Sequence, residues 1–308
     1  MSSVLETPPP AESPKSAAQL VKDSFKGKIH PDWCPGCGDF SVLSALQAAL
    51  FELGLNPHQV VVISGIGCSS NLPGFMNTYG MHTLHGRALA VGVGVKMGNH
   101  NLKVICVGGD GDGYGIGGNH FLHTLRRNVD ITYIVMDNQI YGLTTGQTSP
   151  TSTKGMKTKS TPYGNVENPL NPIPLAMVGG ATYVARGFSG KQKHLVELMK
   201  GAIQHKGFAL VDVFSPCVTY NKDNTYQWFN PRVKSLEEQG HDPTDFHKAL
   251  EKGYQWGEEI PIGLFWKRTD LPSLEELEPV LQDGNGPLAY RQLGISPEQS
   301  QALIKELL

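Results

Sequence analysis

Five cysteines are the first residues of this sequence with a chemical use, and four of them form a pattern. Cys34 and Cys37 make a C-x-x-C motif, whereas Cys68 and Cys217 each follow a run that predicts a strand. Because ligands bind beyond the carboxyl ends of parallel strands, the four thiolates could meet at one edge of a sheet. Such sets hold iron–sulfur clusters or zinc, and spacing separates the two metals only weakly. Cys106 lies within a predicted strand, where a free cysteine is usually an apolar core residue.

A thioredoxin-like redox pair is an alternative interpretation of the segment 33–37 (WCPGC). Its proline and glycine stand in the opposite order from the thioredoxin motif, and residues 27–32 before it contain no strand-like run. We therefore favour a metal or cluster over a dithiol.

A second set of residues could hold a diphosphate through Mg²⁺. The run 108–113 (GGDGDG) follows one predicted strand, and 137–142 (DNQIYG) follows the next. Mg²⁺ prefers oxygen ligands, and glycines let the backbone approach phosphates. Asp110 offers a carboxylate, Asn138 an amide oxygen and Ile140 its carbonyl. Their separation matches one βα unit, which predicts that they lie on adjacent strand ends.

A dinucleotide fingerprint overlaps this set, because Gly113-x-Gly115-x-x-Gly118 opens a predicted helix and Asp137 follows at a strand end. Against it, residues 109–112 separate the first glycine from the strand and carry two carboxylates that would repel a pyrophosphate without a metal. A nicotinamide-dependent reductase stays a remote alternative. No G-x-x-x-x-G-K-[ST] motif occurs, which excludes P-loop chemistry.

The elements that must position these residues alternate between strand and helix patterns. Runs rich in Val and Ile predict buried strands at 59–64, 102–107, 131–136 and 208–214. Helical spacing predicts a helix that Asp39 caps and Gly54 ends, and further helices at 88–98, 119–128 and 192–205. This alternation predicts an α/β fold, a mostly parallel sheet with helices on both faces.

Composition limits the class of protein. Among 308 residues, 26 Lys+Arg against 28 Asp+Glu give a formal net charge of -2, so no basic surface predicts nucleic acid or an anionic membrane as a partner. No apolar run is long enough to cross a bilayer, and the amino terminus lacks the features of a signal peptide. We expect a soluble, cytoplasmic protein.

The chain divides into three predicted parts. Residues 1–24 are rich in proline and predict a disordered tail. Residues 25–220 hold all the motifs above and predict the binding domain. Residues 221–308 predict an irregular extension without strand-rich runs, in which Trp228 and Phe229 stand in a polar stretch. This extension is either a surface wrap over the core or an arm that packs on a partner subunit.

Five motifs in fixed order carry a resemblance to a known family: 33–38 (WCPGCG), 65–69 (GIGCS), 85–87 (HGR), 109–113 (GDGDG) and 141–147 (YGLTTGQ). Over about 29–217 the sequence resembles the β subunit of 2-oxoacid:ferredoxin oxidoreductases. The resemblance implies the thiamine diphosphate-binding fold, with thiamine diphosphate, Mg²⁺ and one [4Fe–4S] cluster as cofactors. It also implies oxidative decarboxylation of a 2-oxoacid, formation of an acyl-CoA and reduction of ferredoxin.

The resemblance assigns roles position by position. Matching the cluster ligands are Cys34, Cys37, Cys68 and Cys217; matching the Mg²⁺ ligands are Asp110, Asn138 and the carbonyl of Ile140. Matching the cofactor-binding positions are Ile66, Gly67, Cys68, Ser69, His85, Gly111, Asp112, Gly142 and Leu143. As a catalytic residue, His85 could donate to a diphosphate oxygen or to the reacting intermediate; alternatively it is a capping or core histidine. Thr144, Thr145 and Gln147 could line the substrate pocket or satisfy the backbone of their own loop.

The partners that the resemblance implies are an α subunit, ferredoxin, a 2-oxoacid and coenzyme A. In the family, the glutamate that activates the cofactor resembles a contribution of the partner subunit, so we expect a heterodimer that pairs again. General similarity favours 2-oxoglutarate over pyruvate, other 2-oxoacids and indolepyruvate. From a different class, a zinc-stabilised interaction module remains the alternative for the four cysteines.

Overall fold

The computed structural model describes residues 20–291 and 294–306, and one sheet of eight strands forms its centre. In chain order the strands are β1 (Val60–Ser64), β2 (Tyr79–His82), β3 (Lys103–Gly109), β4 (Ile131–Asp137), β5 (Tyr183–Phe188), β6 (Ala209–Phe214), β7 (Val233–Ser235) and β8 (Ile260–Lys267). Across the sheet they lie in the order β2-β1-β3-β4-β6-β5-β8-β7. Every neighbouring pair is parallel except β5 with β8. The prediction of a mostly parallel sheet is confirmed.

Helices cover both faces of this sheet. They are α1 (Asp39–Glu52), α2 (Ala88–Gly98), α3 (Gly118–Arg126), α4 (Pro172–Gly179), α5 (Gln192–Gln204), α6 (Tyr226–Phe229), α7 (Phe246–Tyr254), α8 (Leu274–Leu277), α9 (Pro279–Gln282) and α10 (Pro297–Glu306). Alternate strand residues face opposite layers: Val60 and Val62 pack with α1 and α5, and Val61 and Ile63 with α2, α3, α4 and α7. In the described ranges, no helix is both long and apolar enough to span a membrane.

The four predicted strands and the four predicted helices are present, with ends that differ by at most two residues. One predicted role is wrong: Asp39 does not cap α1. Gly38 occupies the cap position without a side-chain bond, and Asp39 is the first residue of the helix, fully buried. Gly54 ends this helix as predicted, because its φ of +66° suits glycine.

The prediction that 221–308 lacks strands is wrong, because β8 pairs with β5 and β7 pairs with β8. Pro261 and Gly263 interrupt the apolar run of β8 and are residue types typical of turns. In the fold, the register shifts opposite β8, between Val184 and Ala185, and Gly263 adopts a φ of +134°. A bulge of this kind accommodates glycine within a strand.

The sequence does not predict strand β5, because Arg186 and Gly187 interrupt its apolar residues. Arg186 is only 2% exposed. Its guanidinium approaches Asp212 with an Nε–Oδ2 distance of 3.5 Å and lies over the rings of Phe214 and Phe265. Burial of this arginine therefore depends on tertiary contacts that the local sequence does not show.

The structure describes part of the predicted tail, 1–24, and most of the predicted extension, 221–308. Most of the predicted tail lies outside the described residues, and at its end Lys22–Phe25 forms a short 3-10 helix. In the extension, Phe229 is 1% exposed and stacks on Phe214 with ring centroids 4.5 Å apart. Phe229 is thus a core residue rather than an exposed aromatic, whereas packing of the extension on a partner stays a prediction.

Candidate cofactor and cluster site

Four cysteines from three separate segments line one cavity of about 230 Å³. Cys34 is exposed, and Cys37, Cys68 and Cys217 are half-buried. Cys68 follows β1, Cys217 follows β6, and the C-x-x-C pair precedes α1. Cys106 lies elsewhere, fully buried within β3 with its thiol directed to the carbonyl of Ala88. The segments after β1 and β6 and the segment before α1 therefore gather the four predicted ligands and leave out the fifth cysteine.

Two glycines border these sulfurs. A Cβ on Gly142 would lie 3.5 Å from Sγ of Cys217 and 3.7 Å from Sγ of Cys68. Gly67, just before Cys68, has a φ of +129°, which side chains rarely tolerate. Trp33 fixes the same turn, since its Nε1 donates to the carbonyl of Cys68 at 2.6 Å.

A buried carboxyl lies beside the cysteines. Asp39 is completely buried, and its Oδ1 accepts a hydrogen bond from Ser215 Oγ at 2.6 Å. Burial, followed by the charge of Asp39, raises the pKa of the Cys37 thiol above its usual range and that of Cys68 to about 11. Without a bound cation these two thiols are therefore neutral, and ligation would require them to lose their protons.

Asp110 directly follows β3, and its carboxylate contacts two hydroxyl groups, those of Ser149 and Thr151, which we call the hydroxyl set. Its Oδ2 accepts hydrogen bonds from Ser149 Oγ and Thr151 Oγ1, and its side chain is almost completely buried. Thr151 Oγ1 also lies 2.8 Å from Oδ1 of Asp137. One hydroxyl donates one proton, so one of the two carboxyls must itself be protonated. Burial and then the Asp110 charge raise the pKa of Asp137, which makes Asp137 the neutral member.

Asn138 and Ile140 follow on the adjacent strand end, since Gly109 of β3 pairs with Met136 of β4. Asn138 Oδ1 accepts from the backbone N–H of Ile140 at 3.1 Å and keeps a second lone pair. Between them, Gln139 adopts a φ of +58°, and its carbonyl accepts from Ser152 Oγ. Asp110, Asn138 and Ile140, the predicted Mg²⁺ ligands, form what we call the metal corner. Asn138 also lines the cysteine cavity, so the metal corner adjoins the predicted cluster cavity.

Asp112 lies one residue beyond the glycine that follows Asp110, yet its carboxylate points into the protein. Its Oδ1 accepts from the N–H groups of Ile66 and Gly86 at 2.9 and 2.7 Å and from His85 Nδ1 at 2.7 Å. The Asp112 side chain is 1% exposed, whereas that of His85 is 39% exposed. The loops after β1 and β2 are thus held by one carboxylate.

The other predicted cofactor positions lie along the same edge. A Cβ on Gly109 would lie 3.1 Å from Ser69 Oγ, and Gly111 is covered by the ring of Tyr141, whose hydroxyl donates to the Gly111 carbonyl at 3.0 Å. Gly142 and Leu143 line the cysteine cavity. The predicted cofactor positions therefore share the edge that β1, β3 and β4 form.

The loop that contains Thr144, Thr145 and Gln147 satisfies itself. The Thr144 hydroxyl bonds to the Gln147 side chain, and Gln147 Nε2 donates to the Thr144 carbonyl at 2.8 Å. Thr145 has a φ of +73°. These contacts favour the turn interpretation for Thr144 and Gln147, and pocket lining stays a prediction.

Comparisons with known proteins identify the family. Residues 45–213 match the family described as thiamine pyrophosphate enzyme, C-terminal TPP binding domain, and 217–283 match the family of the C terminal part of the pyruvate ferredoxin oxidoreductase β chain. A 2-oxoacid:ferredoxin oxidoreductase subunit beta of a Sulfolobus species is 49% identical over 80% of this chain and 84% of its own length. Subunit beta of 2-oxoacid:ferredoxin oxidoreductase 1 from Aeropyrum pernix is 40% identical over 92% and 96%.

This chain belongs to the 2-oxoacid:ferredoxin oxidoreductase β subunits. A solved structure agrees: the 2-oxoglutarate:ferredoxin oxidoreductase from Magnetococcus marinus, with 2-oxoglutarate, coenzyme A and succinyl-CoA bound, has a TM-score of 0.83 and 43% identity over 92% of this chain and 96% of that chain. The family that the motifs resemble is therefore confirmed, as is the thiamine diphosphate-binding fold.

The dinucleotide interpretation of Gly113–Gly118 is wrong for this β subunit. A Cβ on Gly113 would collide with the Tyr133 hydroxyl, so this glycine packs on the core rather than faces a ligand. Asp137, the expected ribose partner, is buried against Thr151. Gly113 and Gly115 lie in the six-residue π-helical turn Gly111–Ile116, and Gly118 begins α3.

Sequence reasoning missed the hydroxyl set of this β subunit and one further cavity. The set lies in the segment 149–152 (SPTS), whose three hydroxyl residues were the available signal. The cavity, of about 360 Å³, is lined by Arg186, Asp137, Phe214 and Trp256 among others and holds none of the predicted ligands. It is larger than the cysteine cavity and touches the candidate site only through Asp137, Gln139 and Thr151, so we place the chemistry at the cysteine cavity.

Proposed function

We propose that this chain provides the diphosphate-binding and cluster-binding half of an enzyme that converts a 2-oxoacid, coenzyme A and oxidised ferredoxin into an acyl-CoA, CO₂ and reduced ferredoxin. One observation carries the proposal: Asn138 and Gly142, from the predicted cofactor loops, line the cavity that contains all four cysteines. A cofactor held by those loops would adjoin a cluster held by those thiolates, as electron transfer between them requires.

The metal corner fits Mg²⁺. Asp110 offers a carboxylate, Asn138 its amide oxygen and Ile140 a backbone carbonyl, and these are hard oxygen donors at adjacent strand ends. Ser149 and Thr151 hold the Asp110 carboxylate. Mg²⁺ held by these oxygens would supply the positive charge that attracts the diphosphate, and it would offset the cost of burying the Asp110 charge.

The cysteine cavity fits the iron–sulfur cluster that the family implies. Iron–sulfur clusters are held by cysteine thiolates, and the four thiolates that line the cavity would be the ligands. Cys34, the exposed ligand, gives the electrons a route to ferredoxin at the surface.

Bound thiamine diphosphate supplies the carbanion chemistry of decarboxylation. This chain's residues bind and orient it: glycines admit the diphosphate, and Ser69 and Leu143 border the edge where it would lie. His85 is the exposed titratable side chain at that edge, held by Asp112. We assign it a proton transfer at the reacting centre.

The substrate and partners rest on similarity. The Magnetococcus marinus relative binds 2-oxoglutarate, coenzyme A and succinyl-CoA, which favours 2-oxoglutarate here. The same division into subunits implies an α subunit that holds the aminopyrimidine half of the cofactor. The carrier is ferredoxin, and the protein acts in the cytoplasm.

Anaerobic co-expression with the α subunit tests this function. The complex should be brown, contain about four iron atoms per β subunit and reduce ferredoxin when given 2-oxoglutarate and coenzyme A. A panel with pyruvate, 2-oxobutyrate and indolepyruvate ranks the substrates by kcat/KM. A colourless complex that contains zinc and turns over none of these acids would contradict the proposal and favour the interaction module.

A further inference from the structure

The two aspartates of the run 109–113 (GDGDG), Asp110 and Asp112, have different hydrogen-bond partners. Asp110 contacts hydroxyls at the metal corner, whereas the hydrogen bonds to Asp112 come from other partners. The three donors to Asp112 Oδ1 come from the loops after β1 and β2. A Cβ on Gly65 would collide with Asp112 Oδ2, so the carboxylate packs directly against the loop after β1. If Asp112 contacts the cofactor, it would therefore do so through its backbone atoms.

The contact with Asp112 decides which nitrogen of the His85 ring donates to it. Two backbone N–H groups already donate to Asp112 Oδ1, so this oxygen acts as an acceptor and Nδ1 of His85 donates to it. Nε2 has no bonding partner within 20–291 and 294–306. The edge contact with Tyr141, with ring centroids 6.2 Å apart, holds the ring from a second side, and Tyr141 is itself held by Gly111. The ring is fixed, and Nε2 is the nitrogen free to meet a ligand.

We propose that Asp112 is a positioning residue that holds His85 with Nε2 toward the reacting centre. This inference rests on the proposed function. The 2-oxo oxygen of the substrate gains a proton when it becomes a hydroxyl and loses that proton when the thioester carbonyl forms. His85 enters the cycle with a proton on each ring nitrogen, gives the Nε2 proton in the first step and takes it back in the second, so no net proton is consumed at His85. Between the two steps the ring is neutral, and its Nδ1 still donates to Asp112 Oδ1.

A double-mutant cycle on the α–β complex tests the inference. Asp112→Ala and His85→Asn should each lower kcat by about 100-fold, in the range of one general acid–base group. The double variant should be no slower than His85→Asn alone, because Asp112 acts through His85. The change that His85→Asn makes in the pH profile of kcat should reappear in Asp112→Ala. Thiamine diphosphate affinity, measured by calorimetry, should stay within about threefold of wild type.

A purely structural role for Asp112 gives different results. If it only ties two loops, the two losses multiply, cofactor affinity falls and the pH profile keeps its shape; any of these overturns the inference. If the alanine variant does not fold, Asp112→Asn replaces it in the test, because its side-chain oxygen can still accept from all three donors. This variant keeps the geometry without the charge, so it should lower kcat by less and change the pH profile of kcat in the same way. Asp130→Asn removes another buried carboxylate, paired with Lys96 before β4, and should leave the profile unchanged. Inactivity of the wild-type complex would instead refute the proposed function.

Discussion

Ser215 Oγ donates to Asp39 Oδ1 at 2.6 Å, and this bond joins the segment that carries Cys37 to the segment that carries Cys217. A backbone bond from Gly38 to the Pro216 carbonyl, at 3.2 Å, runs beside it. A Cβ on Gly38 would collide with Ser215 Oγ, so the two segments are in direct contact. Two of the proposed cluster ligands are therefore fixed relative to each other by contacts between protein atoms.

Ser215→Ala should weaken this junction. It removes the hydroxyl donor from a buried carboxylate, and such a loss costs about 1.5–3 kcal/mol of unfolding free energy. Urea unfolding of the metal-free chain at pH 8 measures this change, and iron analysis of the purified complex should show a lower content. Ser44→Ala is the control, because the Ser44 hydroxyl accepts from Gln192 Nε2 on the exposed side of α1. Equal stability of both variants would show that the junction contributes nothing.

Replacing the cysteines one at a time tests the ligand set. Cys34→Ala, Cys37→Ala, Cys68→Ala and Cys217→Ala should each lose most of the iron, since a cluster that lacks one thiolate is poorly held. Cys106→Ala is the matched control: its thiol is buried in β3, away from the cavity, so iron should be retained. Iron content and visible absorption under anaerobic conditions give the answer. A Cys217→Ala complex with full iron would refute the assignment.

Much of this architecture follows from local sequence. The runs at 59–64 and 131–136 are apolar along most of their length, as strands buried on both faces are, and their ends carry the glycines and polar residues of the site. The rule for strand ends brings Cys68 and Cys217 to one edge of the sheet, and the C-x-x-C motif marks Cys34 and Cys37 as candidates to join them. Their metal could not be predicted in this way, because cluster and zinc sites share thiolate ligands.

What the sequence hides depends on contacts between distant residues. β5 contains Arg186, whose burial is explained by Asp212 and two aromatic rings. Asp39 looks like a helix cap but contacts Ser215, far along the chain. The role of Asp112 is equally non-local, because its partners belong to loops after two other strands. Local propensity carries no information on such pairs.

Asp110→Asn should abolish thiamine diphosphate binding that depends on Mg²⁺. The amide keeps the shape and accepts from Ser149 or Thr151, but it lacks the charge that attracts the metal. Calorimetry with Mg²⁺ and the cofactor measures the loss, and the iron content should stay at the wild-type level because Asp110 is not a cysteine-cavity residue. Asp130→Asn again serves as the control. Unchanged cofactor affinity would place the metal elsewhere.

Acidification should destabilise the fold through His205. Burial, aided by the charge of Lys267, lowers the pKa of His205 to about 4. In the unfolded chain this histidine has a pKa near ~6.5. Between pH ~6.5 and about 4 the unfolded chain therefore binds a proton at His205 that the folded chain does not bind. Stability from this group is complete above pH ~6.5 and falls by at most about 3 kcal/mol through that window. Urea unfolding at pH 7.5 and 4.5 should show a smaller drop for His205→Gln, and an equal drop would contradict the assignment.

The last prediction is that this chain is inactive without its α subunit. Activation of the cofactor needs a carboxylate, usually a glutamate, at its aminopyrimidine ring. The candidate carboxyls at the site are already engaged: Asp39 with Ser215, Asp110 with two hydroxyls and Asp112 with three N–H donors. No glutamate is among the described residues that line the cysteine cavity. We therefore expect the activating group to come from the α subunit.

Purification of the chain alone, anaerobically and with Mg²⁺ and thiamine diphosphate, tests this point. Reduction of a viologen dye by 2-oxoglutarate and coenzyme A should be at least about 100-fold slower than in the α–β complex, as expected when a general acid–base group is missing. Iron and bound cofactor must be measured in the same sample, so that slow turnover is not mistaken for an unloaded site. Addition of the separately purified α subunit should restore the rate. Turnover of the loaded chain at the rate of the complex would show that its own residues activate the cofactor.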